Sequence, residues 1–174
     1  MKRFQPTPGA AFYNRACFTA PPSCFTLTNT STNNVPHGLF YADDDSEQHL
    51  AHLGRSGDPQ SNSVYYISRS GLLVNDALGL PMRQEAGTDD AEAGEAANPL
   101  LFPTQDALLN FQEEPVLAIC DTETGESNGS LMLACTGYEG ADTFYQCDTG
   151  LVVLGDAETA QYGCEGVILT VAAS

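Results

Sequence analysis

The sequence predicts an all-β protein, a β-trefoil-like barrel of short hairpins stabilised by disulfides, with a β-sandwich as the alternative. Three observations carry that expectation. Short runs of β-branched and aromatic residues alternate with Gly, Asn, Asp, Ser and Pro along most of the chain. The stretch "VYYISRSGLLVND" (64–76) is echoed by "TFYQCDTGLVVLGD" (143–156), and more faintly by "LLFPTQDALLNF" (100–111). Six cysteines fall into three close pairs, Cys17/Cys24, Cys120/Cys135 and Cys147/Cys164.

Taken in order, residues 1–9 read as a tail and 10–174 as a single domain. Lys2-Arg3 in the tail is a candidate processing pair, and "MKRFQPTPGAAF" holds no apolar signal region, so a mature form with its leader removed is expected. Strands are expected at 10–14, 24–28 and 38–41, with "FTAPPSC" and "LTNTSTNNVPHG" as loops. "SEQHLAHLG" is the one stretch with helical spacing. Strands at 64–68 and 71–74 flank Gly71, which suits a hairpin turn needing positive φ. "RQEAGTDDAEAGEAANP" (83–99) is acidic, rich in Ala and Gly, and lacks evident core anchors, so a long mobile surface loop is expected. Further strands are expected at 100–103, 107–111, 116–120, 130–135, 143–147, 150–154 and 166–171.

In the echo, Tyr66 aligns with Tyr145, Gly71 with Gly150 and Leu72 with Leu151. Phe102 takes the aromatic position of the third copy, with Ala107, Leu108 and Leu109 in place of the Gly-Leu run. The aromatics at 66, 102 and 145 recur about every 40 residues, and one hairpin repeated three times can bury an apolar face that a single hairpin cannot. These three aromatics are therefore assigned to the core.

Composition bounds the function. A net charge of -17 with six Lys plus Arg excludes a basic nucleic-acid footprint. No apolar run reaches the roughly 20 residues of a spanning helix, so no membrane insertion is expected. An even cysteine set without a CxxC pair or neighbouring histidines reads as disulfides, each short-range pair closing a loop of about 6 to 16 residues. Disulfides imply an oxidising compartment, and the sequons at Asn29 and Asn128 agree with an extracellular glycoprotein.

No catalytic constellation, metal site or cofactor is assigned. "DDDSEQHLAH" gathers Asp43, Asp44, Asp45, Glu47, His49 and His52, but without calcium-loop spacing, and on a strand His49 and His52 would face opposite ways. No "GxSxG" elbow exists, and His37, His49 and His52 are the only imidazole bases. Tyr41, Tyr65, Tyr138 and Tyr162 lie near polar turns. Tyr138, Asp142 and Tyr162 form the candidate sugar-contacting set, an aromatic platform with a hydrogen-bonding partner.

"DTFYQCDTGLVVLGDAETAQYGCEGVILTV" resembles the C-terminal cysteine domain of fungal cell-wall mannoproteins with internal repeats. The resemblance lies in Phe144-Tyr145-Gln146-Cys147, Gly150, Cys164 and the final "VILTV"; "LAICDTETGESNGSLMLAC" and "SVYYISRSGLLV" are similar to earlier elements of that family. It covers Val116 to Val171. It implies a secreted protein at the cell wall, in contact with β-glucan or mannan. The family's Gln-rich attachment repeats are absent, so covalent anchoring does not carry over. A protease inhibitor or secreted effector with a protein partner is the second expectation, with the Cys17–Cys24 loop as the exposed element.

Overall fold

The computed structural model describes residues 24–30, 36–45, 50–54, 64–86, 98–125, 129–148, 150–156, 159 and 163–173. Lys2, Arg3, the expected strand at 10–14, Cys17, the "FTAPPSC" loop before Cys24, Glu47, His49, Asn128 and Tyr162 lie outside them. Within them the protein is all-β.

The alternation Phe25-Thr26-Leu27-Thr28 makes β1 (Phe25–Thr30), with Phe25 and Leu27 buried and the threonines between them half-exposed. β1 pairs antiparallel with the last strand, β15 (Ile168–Ala173), over six residue pairs. On its other edge β1 pairs with β2 (Pro36–Asp45), which turns back into β3 (Leu50–Gly54) with a register shift between Asp43 and Asp45. The segment expected as a loop from Leu27 to Gly38 therefore supplies strand at both ends. "SEQHLAHLG" is strand from Leu50 onward, not helix, because Leu50, Ala51 and His52 pair with Pro103, Phe102 and Leu101 of β8 (Leu100–Pro103).

β4 (Tyr65–Ile67) and β5 (Leu73–Asn75) form the hairpin expected about Gly71. Residues 80–84 supply two short strands not anticipated, β6 (Leu80–Pro81) and β7 (Arg83–Gln84), which pair with β5 and β8 respectively. In the segment expected as a mobile loop, 83–99, Arg83 and Gln84 are strand instead, Gln84 is 1% exposed and Ala86 is buried, and residues 87–97 lie outside the described residues. The strand expected at 107–111 is instead a helical turn, α1 (Gln105–Leu108), capped by Thr104, whose hydroxyl accepts from Ala107 N at 3.2 Å.

β9 (Val116–Leu117) pairs with β7, and the chain runs on through buried Ala118 into β10 (Ile119–Thr124), which pairs with β11 (Leu131–Thr136) over six residue pairs. β12 (Thr143–Cys147) holds β13 (Val152–Gly155) on one edge and β14 (Cys164–Gly166) on the other, a separate three-stranded sheet. In strand order the larger sheet is an open path from β10 through β11, β15, β1, β2, β3, β8 and β7 to β9.

The core gathers Phe25, Leu27, Leu53, Tyr65, Leu73, Met82, Leu100, Phe102 and Leu169 with residues of β10–β13. β13 is buried on both faces: Val152 and Leu154 enter this core, while Val153 packs with Cys147 and Cys164 in a second cluster. That is why "VVL" is an unbroken apolar run rather than an alternation. Tyr65, expected beside a polar turn, is fully buried with its ring 5.9 Å from that of Phe102. Tyr66 takes the half-exposed side of the same strand, and Tyr145 packs partly buried against the second cluster, so of the three repeat aromatics Phe102 alone belongs to the main core.

Two disulfides join directly opposed strand residues, Cys120–Cys135 across β10–β11 and Cys147–Cys164 across β12–β14. Cys24 is also disulfide-bonded.

The sequence echo has a local cause. In both hairpins residue i receives from and gives to the turn identically: Ser68 N donates to Leu72 O and Gly71 N to Ser68 O, while Cys147 N donates to Leu151 O and Gly150 N to Cys147 O. Gly71 and Gly150 sit at φ of +82° and +88°, where a side chain is strained. Gly150→Ala has open space around its Cβ and is expected to cost about 1 kcal/mol from backbone strain alone. Gly71→Ala should cost more, because its Cβ would stand 3.2 Å from Ile119 Cγ2. Urea midpoints of the two variants check the order.

Candidate functional site

Of the expected sugar-contacting residues, Tyr138 and Asp142 share the turn between β11 and β12. This turn is held from below by a buried amide. Gln84 donates through Nε2 to Leu154 O (2.7 Å) and Asn98 O (3.0 Å), and its Oε1 accepts from Tyr138 N (2.7 Å). One side chain on β7 so ties β13, the entry to β8 and the turn. Gly137 is required there, since a Cβ would collide with Gln84 Oε1 and lie 3.0 Å from Leu154 Cδ1. The turn continues through Glu139 at φ +53° and Gly140 at φ +79° and closes with Gly137 N donating to Ala141 O. Tyr138 ends half-buried and Asp142 exposed, accepting from Thr143 Oγ1 at 3.3 Å. The turn presents one aromatic and one carboxylate.

A larger surface with a coherent character lies elsewhere. On the outward side of β1, Thr26 and Thr28 stand opposite Ala172 and Thr170 of β15, and the Thr30 position stands opposite Ile168. Met132 of β11 pairs with Thr170 and extends the row, with Ala134 two residues along the same strand. Thr26, Thr28, Thr170, Met132 and Ala134 are half-exposed, and Ala172 and Ile168 are exposed. Thr26 Oγ1 reaches Ala172 O at 3.5 Å. Same-face residues repeat about every 6.8 Å along a strand and about 4.8 Å across strands, so this is a regular lattice of methyl and hydroxyl groups. None of these residues carries charge. The acids begin at the next strand, where Asp121 and Glu123 of β10 stand opposite Ala134 and Met132. In a chain of net charge -17 such a neutral face is conspicuous. The signal available in the sequence was the strict alternation of Thr26, Thr28 and Thr30, which a loop reading of that segment hid.

Other titratable groups are dispersed. Burial, and secondarily the negative charge of Asp76, pushes the Tyr66 phenol upward. Burial raises the Glu85 carboxyl. Arg83 donates to Pro115 O at 2.9 Å and pairs with Glu114 at 3.2 Å, fastening the chain before β9. Among the described residues no group of three or more His, Cys, Asp or Glu side chains is placed to hold a metal ion. Asp43, Asp44 and Asp45 lie on β2, and His52 pairs with Ala42 from β3. Asn29, the first residue of its sequon, lies within β1, paired on one side to Leu169 and on the other to His37.

Gln84→Leu is expected to destabilise the protein by about 3 kcal/mol, because Tyr138 N and Leu154 O lose buried partners. Chemical denaturation of the variant measures this. For Glu85, a folded-state pKa above its ordinary 4.5 favours the protonated form. Its contribution to stability is complete below that ordinary value and is lost as pH rises through the raised one. Glu85→Gln should therefore raise the melting temperature at neutral pH and flatten the stability profile above about pH 4.5.

Comparison of the chain with family models, with curated proteins and with solved structures returns no match in any of the three.

Proposed function

We propose that the protein is a secreted, non-enzymatic protein of the cell surface or cell wall that contacts a polysaccharide, β-glucan or mannan, through the threonine-lined face of β1, β15 and β11. The observation that carries this reading is the neutrality and regularity of that face on an otherwise strongly acidic chain. A neutral polymer offers hydroxyls and C–H faces rather than charge, and a flat row of threonine hydroxyls and methyls matches both. Buried disulfides suit an oxidising compartment. The likeness of residues 116–171 to wall mannoprotein cysteine domains points the same way. The Tyr138–Asp142 turn adds a second contact at the opposite end of β11 from the hairpin tip.

The scaffold we infer is a β-trefoil. What supports this reading is a succession of neighbours, β5 to β4, β4 to β1 through Tyr65 and Phe25, β1 to β15, β15 to β11 and β11 to β10, together with an isolated bridge from Leu72, just before β5, to Ile119 of β10. Cys120 N donating to Gly71 O at 2.7 Å supports the β5–β10 link. Between β1 and β4, between β5 and β10, and between β11 and β15 the chain inserts an antiparallel pair, β2–β3, β7–β8 and β12–β13, with β6, β9 and β14 as additional short strands. Three such insertions are the trefoil's plan. On this reading the sequence echo joins a ring hairpin, β4–β5, to a cap hairpin, β12–β13, and is not the internal repeat.

Retention of the purified protein on insoluble β-glucan, mannan and chitin tests the function. Binding to at least one polymer is expected, unchanged by raised salt because no charges meet. The double variant Thr28→Asp/Thr170→Asp should lose retention at least tenfold while keeping its near-native circular dichroism. Failure of the native protein to bind any of the polymers, or equal retention of the folded variant, overturns the assignment.

A further inference from the structure

The uncharged face of β1, β15 and β11 ends at a charged border whose geometry is fixed. In β10 the exposed residues Asp121 and Glu123 lie on one side of the strand, about 6.8 Å apart, with the buried Cys120 on the other. The register carries that side across the sheet. Glu123 stands opposite Met132, Met132 opposite Thr170, and Thr170 opposite Thr28. One transverse row over four strands thus begins in a carboxylate and ends in a hydroxyl, and Asp121 stands opposite Ala134 in the next row. Beneath the two acids, Cys120, Leu133 and Cys135 belong to the core, and a six-pair ladder and a cystine hold the hairpin. One oxygen of Asp121 accepts from Thr122 N at 2.8 Å. Among the described residues neither carboxylate is paired with Arg, Lys or His, and Arg83 is engaged by Glu114.

We propose that the polymer this face takes is an amine-bearing polysaccharide, a partly deacetylated aminosugar chain whose ammonium groups meet Asp121 and Glu123 while its rings lie on the threonine rows. The inference rests on the polysaccharide contact proposed above and names the class of polymer. Three observations favour it. The charges are complementary at both ranges: the border acids meet the amines directly, and the net charge of -17 draws a polycation in from a distance. Side chains standing parallel about 6.8 Å apart suit two separate monovalent groups, whereas the ligands of one metal ion converge. The interior of the face offers Thr28, Thr170, Met132 and Ala134, whose methyl, thioether and hydroxyl groups suit sugar rings and their hydroxyls. A basic peptide would answer the charges and leave that interior without a match. Exposed ion pairs change affinity only a few-fold each, so two together are expected to give about tenfold.

Retention of the full-length protein on chitosan beads, and on the same beads re-acetylated to chitin, tests this at mildly acidic pH, where the chitosan amines are protonated. Retention should be about tenfold stronger on chitosan, and about 1 M salt should remove the difference. Asp121→Asn/Glu123→Gln should bring retention on chitosan down to the re-acetylated level and leave retention on the re-acetylated beads unchanged. Asp106→Asn/Glu113→Gln removes the same charge from exposed positions before β9 and should change neither. An equal loss in this control shows general adhesion of an acidic chain to a polycation and overturns the proposal. Equal retention of the native protein on both kinds of bead also overturns it, while the polysaccharide contact itself stands. Retention on neither kind, nor on β-glucan or mannan, overturns both.

Discussion

The ladder between β1 and β15 is the constraint on which the rest of the structure depends. It joins strands about 140 residues apart in sequence, so the entropy of closing nearly the whole chain is lost before its contacts are gained. What offsets that loss is visible on both faces. Inward, Phe25 and Leu27 meet Leu169 within one buried cluster. Outward, the same register sets Thr26 and Thr28 beside Ala172 and Thr170. A slip of one residue would send the threonines into the core and the apolar side chains to water. The fold and the proposed contact face are thus specified by a single register.

A second constraint acts at right angles to the sheets. Gln84 directs both of its amide N–H donors and its carbonyl oxygen at backbone groups of three separate segments, and it is buried where an unsatisfied amide would be costly. Backbone-to-backbone ladders cannot cross between these segments, so a side chain does it. The absence of a Cβ at Gly137 is the complementary half of this joint. The two sheets are also joined by β13, which contributes Val152 and Leu154 to one cluster and Val153 to the other.

Much of the strand content was legible because period-two alternation and turn residues reflect local rules: β1, β4, β8, β11 and β12 lie where composition placed them. The disulfide pairs at 120/135 and 147/164 were legible from spacing. Elsewhere tertiary context overrode local pattern. "LAHLG" carries helical spacing but lies between β2 and β8, where extended pairing satisfies its backbone. "ALLNF" (107–111) reads as strand by composition, yet the Thr104 hydroxyl caps a helical turn over Gln105–Leu108. β6 and β7 are too short for periodicity to reveal, and their role rests on one glutamine whose burial no hydropathy pattern announces. The threonine face was written in the sequence, but its meaning needed the neighbours that β15 and β11 supply. Tyr65 and Tyr66 show the limit most plainly: two identical adjacent residues, one fully buried and one half-exposed, told apart by strand parity alone.

The separation of charge from the β1–β15 face has a further consequence on the proposed reading. A molecule that lies down on a neutral polymer with that side first is restricted in tilt, because Asp121 and Glu123 of β10 border the face and would be carried into the contact. Adsorbed copies would repel one another laterally and space themselves out rather than pile up. The underlying polymer would then acquire a hydrated anionic coat, with the interfacial properties of a polyelectrolyte brush instead of those of a bare glycan.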